Sequence, residues 1–151
     1  MYYSAGFQPA HAMFPSQRVI TELDAARIRE LAVGLPDRGR SLGSLGELID
    51  LVREEADIVP RSHIGADIVT VNSTVSFRDE TTGAVHRVTL VYPRDFSVSN
   101  RRISLLSPVG RALLGRKVGA LATFETPDGA LRTIRVIELH YQPEASGHPD
   151  L

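Results

Sequence analysis

The chain has 151 residues, of which 42% are hydrophobic, enough for one domain of ordinary size and a small appendage. Its formal net charge of -1 argues against a general nucleic-acid-binding protein, because such proteins carry a large basic excess. The absence of cysteine excludes disulfides and suits a cytoplasmic protein, and no apolar run approaches the roughly 20 residues that a membrane-spanning helix needs.

Residues 1–17 form an N-terminal extension of unusual composition. They contain no Asp, Glu, Lys or Arg, so they lack the basic start of a signal peptide. Large apolar side chains are dense in this extension: Tyr2, Tyr3, Phe7, Met13 and Phe14. Two interpretations remain, a loosely ordered terminus of the usual kind or an arm that docks on another surface.

From Thr21 to Asp57 the apolar residues have a helical period. Thr21 starts a Thr-Glu-Leu-Asp capping pattern and predicts a helix that ends near Gly34. A second helix is predicted after Ser41 or Ser44, because apolar residues recur there at i, i+3, i+4 and i+7: Leu45, Leu48, Ile49 and Val52. The pattern indicates a short antiparallel helical hairpin, with helices of about 12 residues that reach on the order of 18 Å.

Beyond Pro60 the period changes to that of β-strands. Alternating apolar residues predict strands at 74–78, 86–92, from 103, at 121–125 and at 131–141. Turns are expected near Gly83 and at 126–129, a Thr-Pro-Asp-Gly sequence. The predicted fold class is α+β, with a four- to five-stranded antiparallel sheet and one small helix.

That small helix is predicted at 108–114. Ser107 supplies a side-chain cap, Pro108 suits the first helical position, and Gly115 can adopt the left-handed conformation that ends a helix. Basic residues outnumber acidic ones six to one from 94 to 117, the basic ones being Arg94, Arg101, Arg102, Arg111, Arg116 and Lys117. Such a patch favours an acidic protein surface, although capping and solubility alone also explain these residues.

Several motifs in one order resemble the GreA/GreB family of bacterial transcript cleavage factors, and especially its regulators of nucleoside diphosphate kinase. They are 67–73 (DIVTVNS), 90–93 (LVYP), the loop of Ser107 and Pro108, and 138–145 (ELHYQPEA). The resemblance begins near Leu23 and covers about 120 residues, which makes a chance match improbable. It implies a helical hairpin at 18–59, a linker at 60–66 and, at 67–151, a domain similar in fold to the FK506-binding proteins.

The predicted hairpin tip departs from the family's catalytic pattern. Cleavage factors present an Asp and a Glu there, which help to hold a catalytic Mg²⁺ inside RNA polymerase. This chain has only Asp37, beside Arg38 and Arg40, and its helices are short. The resemblance therefore implies a non-enzymatic regulator that binds RNA polymerase near the secondary channel, with no catalytic residue, metal or other cofactor.

The residues predicted to contact polymerase are Ser107, Pro108 and Val109, with Arg101, Arg102 and Arg111 as electrostatic support. One alternative is a peptidyl-prolyl isomerase or chaperone, which is disfavoured because no Trp, five Phe and four Tyr leave few aromatics to line an apolar concavity. Another is a module that binds nucleic acid weakly and without specificity through the basic run. No membrane and no small-molecule substrate are expected.

Overall fold

The computed structural model describes residues 18–33 and 43–148. Its N-terminal part runs β1 (Arg18–Thr21), α1 (Glu22–Glu30), α2 (Ser44–Glu54) and β2 (Ala56–Val59). The two strands pair in parallel, with Arg18 opposite Ala56. The extension at 1–17 and the tip residues Asp37, Arg38 and Arg40 lie outside the described residues.

The cap predicted for α1 is confirmed, whereas a start of α2 after Ser44 is wrong by one residue. The Asp24 N–H donates to Thr21 Oγ1 at 3.0 Å. Ser44 is instead the first residue of α2, which has no side-chain cap, and Ser41 lies outside the described residues. The helices have nine and eleven residues, so both are shorter than expected.

The C-terminal part is a curled sheet in the order β5-β4-β3-β7-β6. Its strands are β3 (Thr74–Asp79), β4 (Val85–Val91), β5 (Arg102–Ser104), β6 (Leu121–Glu125) and β7 (Leu131–Tyr141). All neighbours are antiparallel except β4 and β5, which are parallel. The prediction of a wholly antiparallel sheet is therefore wrong at one edge, because the chain crosses back after β4 before it enters β5.

One hydrophobic core joins the helices to the sheet. Side chains that are less than 2% exposed come from both parts of the chain: Ile20, Ile28, Leu48, Val71, Leu90 and Ile134. The short helix α3 (Pro108–Leu113) adds Leu113 to the same core. Within the described residues, no helix is long and apolar enough to cross a membrane.

Candidate partner-binding site

Helix α3 is held on the sheet by the local bonds that the sequence predicts. Ser107 Oγ accepts the Gly110 N–H at 3.0 Å and donates to the Ser104 carbonyl at 2.8 Å. A Cβ at Gly110 would lie 2.1 Å from that carbonyl oxygen, so only glycine allows this approach. Gly115 ends the helix region with φ +78°, as expected. The loop before α3 is consequently rigid.

An open cavity of about 670 Å³ lies between the sheet and the start of α3. All five strands of the sheet contribute side chains to it. Its apolar lining includes Phe77, Val88, Phe96, Ile103, Val109 and Phe124. Phe96 is 55% exposed, so a large apolar surface faces the solvent at the cavity edge. Such a surface marks a place where another molecule can bind.

The aromatic lining corrects an inference from composition. Few aromatics argued against an apolar, aromatic-lined concavity, but three of the five phenylalanines converge on this one: Phe77, Phe96 and Phe124. They come from β3, from the loop before β5 and from β6, so only the folded topology brings them together. A count of residue types carries no information on where they meet.

The charged groups at the cavity compensate one another. Arg132 Nη1 donates to Asp79 Oδ2 at 2.8 Å. The Thr81 N–H, which donates to the other oxygen of Asp79 at 2.8 Å, holds the pKa of that carboxyl below its ordinary value. Beside this pair the rings of Phe77 and His86 lie 5.3 Å apart. The cavity therefore selects for apolar groups and not for a charge.

The three docking residues predicted at the start of α3 line two different cavities. Ser107 and Val109 line the apolar cavity. Pro108 lines a second cavity, of about 640 Å³, together with Arg18 and Arg111. Phe124 belongs to both cavities. The two cavities are thus adjacent, with α3 between them.

The basic run from 94 to 117 does not form one patch. Arg111 Nη1 donates to the Leu106 carbonyl at 2.5 Å, and Nη2 lies 3.6 Å from Glu47 Oε1 on α2. Arg116 Nε donates to the Ala112 carbonyl at 3.1 Å, and burial lowers the pKa of its guanidinium. Both side chains therefore hold the fold together instead of presenting free charge.

The remaining arginines are exposed but do not converge on the cavity. Arg102 lines a cleft with Thr74 and Thr89, whereas its neighbour Ile103 lines the apolar cavity. Adjacent residues of a strand point to opposite faces, so Arg102 lies behind the sheet. Arg101 is exposed just before β5, in a left-handed conformation with φ +54°.

A buried carboxylate joins α1 to the sheet domain, although the pattern around it in the sequence indicates only a helix cap. Asp24 is 2% exposed. Its Oδ2 accepts the Val71 N–H at 3.1 Å, and its Oδ1 accepts the Tyr92 hydroxyl at 2.9 Å. Burial raises the pKa of Asp24 to about 6, and burial also raises the pKa of Tyr92 above its ordinary value. The only sequence signal was a tyrosine within the 90–93 motif.

The described ranges, 18–33 and 43–148, contain no group of three or more His, Asp or Glu side chains placed to hold a metal ion. The main site that the geometry offers is thus the apolar cavity between the sheet and the start of α3.

Comparison with known proteins gives consistent matches. Residues 64–141 match the family described as "Transcription elongation factor, GreA/GreB, C-term". The chain is 37% identical over 134 residues to the regulator of nucleoside diphosphate kinase of Escherichia coli (strain K12), which covers 85% of this chain and 93% of that protein. It is 32% identical over 116 residues to the transcription elongation factor GreA of Thermotoga neapolitana, covering 77% and 72% of the two chains.

A solved structure is similar over nearly its whole length. The prokaryotic transcription elongation factor GreA/GreB from Nitrosomonas europaea is 35% identical, with a TM-score of 0.62. The match covers 83% of this chain and 98% of that one.

Proposed function

Because the chain belongs to the GreA/GreB family of transcription elongation factors, we propose that it binds RNA polymerase near the secondary channel without promoting transcript cleavage. Contact is made by the C-terminal domain, 67–151, whose fold we take to be similar to that of the FK506-binding proteins. Acting on polymerase places the protein in the cytoplasm. The observation that carries the proposal is the apolar cavity bordered by Ser107 and Val109.

The cavity has the properties of a protein-docking site. Phe96 and its neighbours leave apolar surface in water, and its burial against a partner contributes about 25 cal/mol per Å². An apolar side chain inserted into a fitting pocket is the usual centre of an interface. The hydrogen bonds of Ser107 preorganise the wall of this pocket, so little conformational entropy is lost on binding.

The arginines divide into two roles. Arg101 and Arg102 are exposed and speed the encounter with an acidic partner surface, because long-range attraction raises association rates. Arg111 acts as a positioning residue, since it connects the loop before α3 to Glu47 on α2. Its effect on binding is then indirect, through the placement of Val109.

The hairpin, 18–59, obstructs the channel entrance or competes with other factors that bind there. Helices of nine and eleven residues extend about 14 and 17 Å, less than the diameter of a protein domain. The tip sequence offers Asp37 beside Arg38 and Arg40 and no Asp-x-x-Glu pair. A single carboxylate next to positive charge is a weak ligand for Mg²⁺, so we expect no cleavage.

The test measures binding to core RNA polymerase by interferometry, with a cleavage factor as competitor and a backtracked transcript in the same samples. We expect competitive binding and no cleavage. Pro108→Ala should weaken binding more than Arg38→Ala, because it changes the docking helix and not the tip. Transcript cleavage would refute the non-catalytic part of the proposal, and absence of binding would refute its core.

A proline isomerase is the second candidate, and the aromatic cavity is the observation that favours it. The cavity could hold a proline ring, as apolar pockets of this size do. We nevertheless expect no turnover, because a similar fold does not bring an activity with it. An isomerisation assay on a short Xaa-Pro peptide tests for this activity. If turnover is found, Val109→Asp is the control, because it places a charge in the cavity and should abolish turnover there.

Weak binding of nucleic acid by the exposed arginines is a separate property that can be measured. Arg94, Arg101 and Arg102 are exposed, and Phe96 is a nearby aromatic. Without further stacking residues, we expect only unspecific association that decreases steeply with salt. Electrophoretic shift at two salt concentrations measures it.

A further inference from the structure

We propose that the outer face of the sheet, which is the face opposite the apolar cavity, binds single-stranded RNA. Three features of this face favour an RNA strand over other partners: a line of arginines, a pair of hydroxyl groups and the ring of a tyrosine. RNA binding at the outer face does not rest on the proposed binding of polymerase, because the cavity lies on the other side of the sheet.

The line of arginines crosses four neighbouring strands. Each strand places one arginine on the outer face: Arg102 on β5, Arg87 on β4, Arg78 on β3 and Arg135 on β7. Arg78 and Arg135 are directly opposite each other, and the other two steps are diagonal ones, offset by two residues. Opposite residues are about 5 Å apart and diagonal ones about 7–8 Å, so the line is continuous.

This line of arginines is net positive. Arg87 and Arg102 are exposed, and neither forms an ion pair with any of the residues that the structure describes. Two acids lie beside the line on the same face, Glu80 and Glu138. Glu80 is shared, because it lies 2.8 Å from Arg78 Nε and 3.6 Å from Arg135 Nε. The evenly repeated negative charge of a phosphodiester chain complements such a line.

A cleft of about 370 Å³ lies at one end of the line. Four of its residues are successive cross-strand neighbours: Arg102, Thr89, Thr74 and Tyr141. The hydroxyl groups of Thr74 and Thr89 are 2.9 Å apart. The row therefore presents a cation first, then hydroxyl groups and finally an aromatic ring.

The order of groups in the cleft matches the parts of one ribonucleotide. A guanidinium binds phosphate, a hydroxyl both donates to and accepts from the ribose 2′-OH, and an aromatic ring stacks on a base. The amide of Asn72, also in the cleft, offers a donor and an acceptor to a base edge. The acid of the cleft, Asp95, lies 3.8 Å from Arg94, which reduces its repulsion of phosphate.

The tyrosine ring of the cleft is already held in place. The Tyr141 hydroxyl and Nδ1 of His148 are hydrogen-bonded, and the two rings lie 5.7 Å apart. Phe96, the aromatic of the basic run, lines the cavity on the other side of the sheet. Stacking on a side chain needs a base whose face is uncovered, as in a single strand and not in a duplex. The cleft is therefore suited to single-stranded RNA.

The arginine line is tested by fluorescence anisotropy of labelled oligouridylate with the full chain at several salt concentrations. The slope of log affinity against log salt should lie between about −2 and −3, because each phosphate neutralised on a single strand contributes about −0.7. Arg87→Ala should weaken binding about three-fold and make the slope shallower by about 0.7. Arg53→Ala is the matched control, because Arg53 is exposed on α2 and not on the sheet.

The stacking contact is tested with two substitutions of the same tyrosine. Tyr141→Leu should weaken binding about ten-fold, because a stacked base contributes at least that much to affinity. Tyr141→Phe keeps the ring and should keep the affinity. Phe96→Ser should leave RNA binding unchanged, because Phe96 lies on the cavity side.

Several outcomes overturn the proposal. Equal losses for Arg53→Ala and Arg87→Ala mean that only net charge attracts RNA. Unchanged affinity of a folded Tyr141→Leu, checked by circular dichroism, or a loss with Phe96→Ser instead, means that no base stacks in the cleft. Equally tight binding of duplex RNA or of polyglutamate means that the face recognises negative charge alone, and equally tight oligodeoxyuridylate excludes the ribose contact.

Discussion

The apolar cavity and the junction between α1 and the sheet use side chains in opposite ways. At the cavity, large apolar groups such as Phe96 remain partly in water. At the junction, the carboxyl of Asp24 is buried and both of its oxygens accept hydrogen bonds. The junction therefore contributes to stability through polar groups, whereas the cavity keeps apolar surface available for binding. Substitutions should separate these two properties.

The largest stability effect is expected at Asp24. Asp24→Ala leaves the Val71 N–H and the Tyr92 hydroxyl buried without an acceptor, which costs about 4 kcal/mol at roughly 2 for each group. Urea unfolding at a pH near 5 measures the change. Glu22→Ala is the matched control in the same helix, because Glu22 is exposed and should change stability little. A loss for Asp24→Ala no larger than that of the control would show that the junction does not depend on this carboxyl.

The junction should also give a pH signature. Burial raises the pKa of Asp24 from 3.8 to about 6, so the folded protein keeps a proton that the unfolded chain releases above about pH 4. The stability from this group is fully present below pH 3.8 and is lost as the pH rises through 6. The stability advantage of the wild type over Asp24→Asn should decrease by about 3 kcal/mol across this window. If the stability difference between the wild type and Asp24→Asn stays constant with pH, Asp24 is not a buried acid with a raised pKa.

Arg111 connects the two regions, so its substitution should affect both properties moderately. Arg111→Ala removes the hydrogen bond to Leu106 and the ion pair with the exposed Glu47, for a loss of about 1 kcal/mol. Polymerase binding should weaken too, and Arg111→Lys should restore it only in part, because lysine lacks the planar fork. Arg102→Ala serves as the exposed control. Equal effects of the two alanine variants on urea midpoints would argue against a positioning role.

The smallest stability effect is expected at the cavity edge. Phe96→Ser should change the free energy of unfolding by no more than about 0.5 kcal/mol, because the ring is more than half exposed. The same change should weaken polymerase binding about ten-fold, as expected for an interface anchor. Val85→Ser, at a similarly exposed apolar position, should change neither quantity. A destabilisation of several kcal/mol would mean that Phe96 belongs to the core and not to a binding surface.

Local features were predictable from the sequence. The caps of α1 and α3 depend on residues a few positions apart, and so does the left-handed Gly115, so spacing alone identifies them. The strands beyond Pro60 were located to within a few residues because alternation is a local signal, whereas β1 and β2, of four residues each, were not predicted.

Features that depend on distant pairing were not predictable. The parallel pairing of β4 with β5 involves a strand of only three residues, which carries no direction in its pattern. The bond between Asp24 and Tyr92 joins residues 68 positions apart, and the cavity joins β3, β6 and the loop before β5. The charge count also misled, because it cannot distinguish an exposed arginine from one such as Arg111 that is bonded internally.

The core that Ile28 and Leu48 share with the sheet has a consequence for cooperativity. Because these helical side chains pack in the same cluster as Leu90 and Ile134, neither part can lose its structure without exposing the apolar surface of the other. Helical and sheet signals should disappear together in a single transition on heating. Slow amide exchange should likewise extend from α1 into β7, so thermal motion alone rarely separates the helices from the sheet.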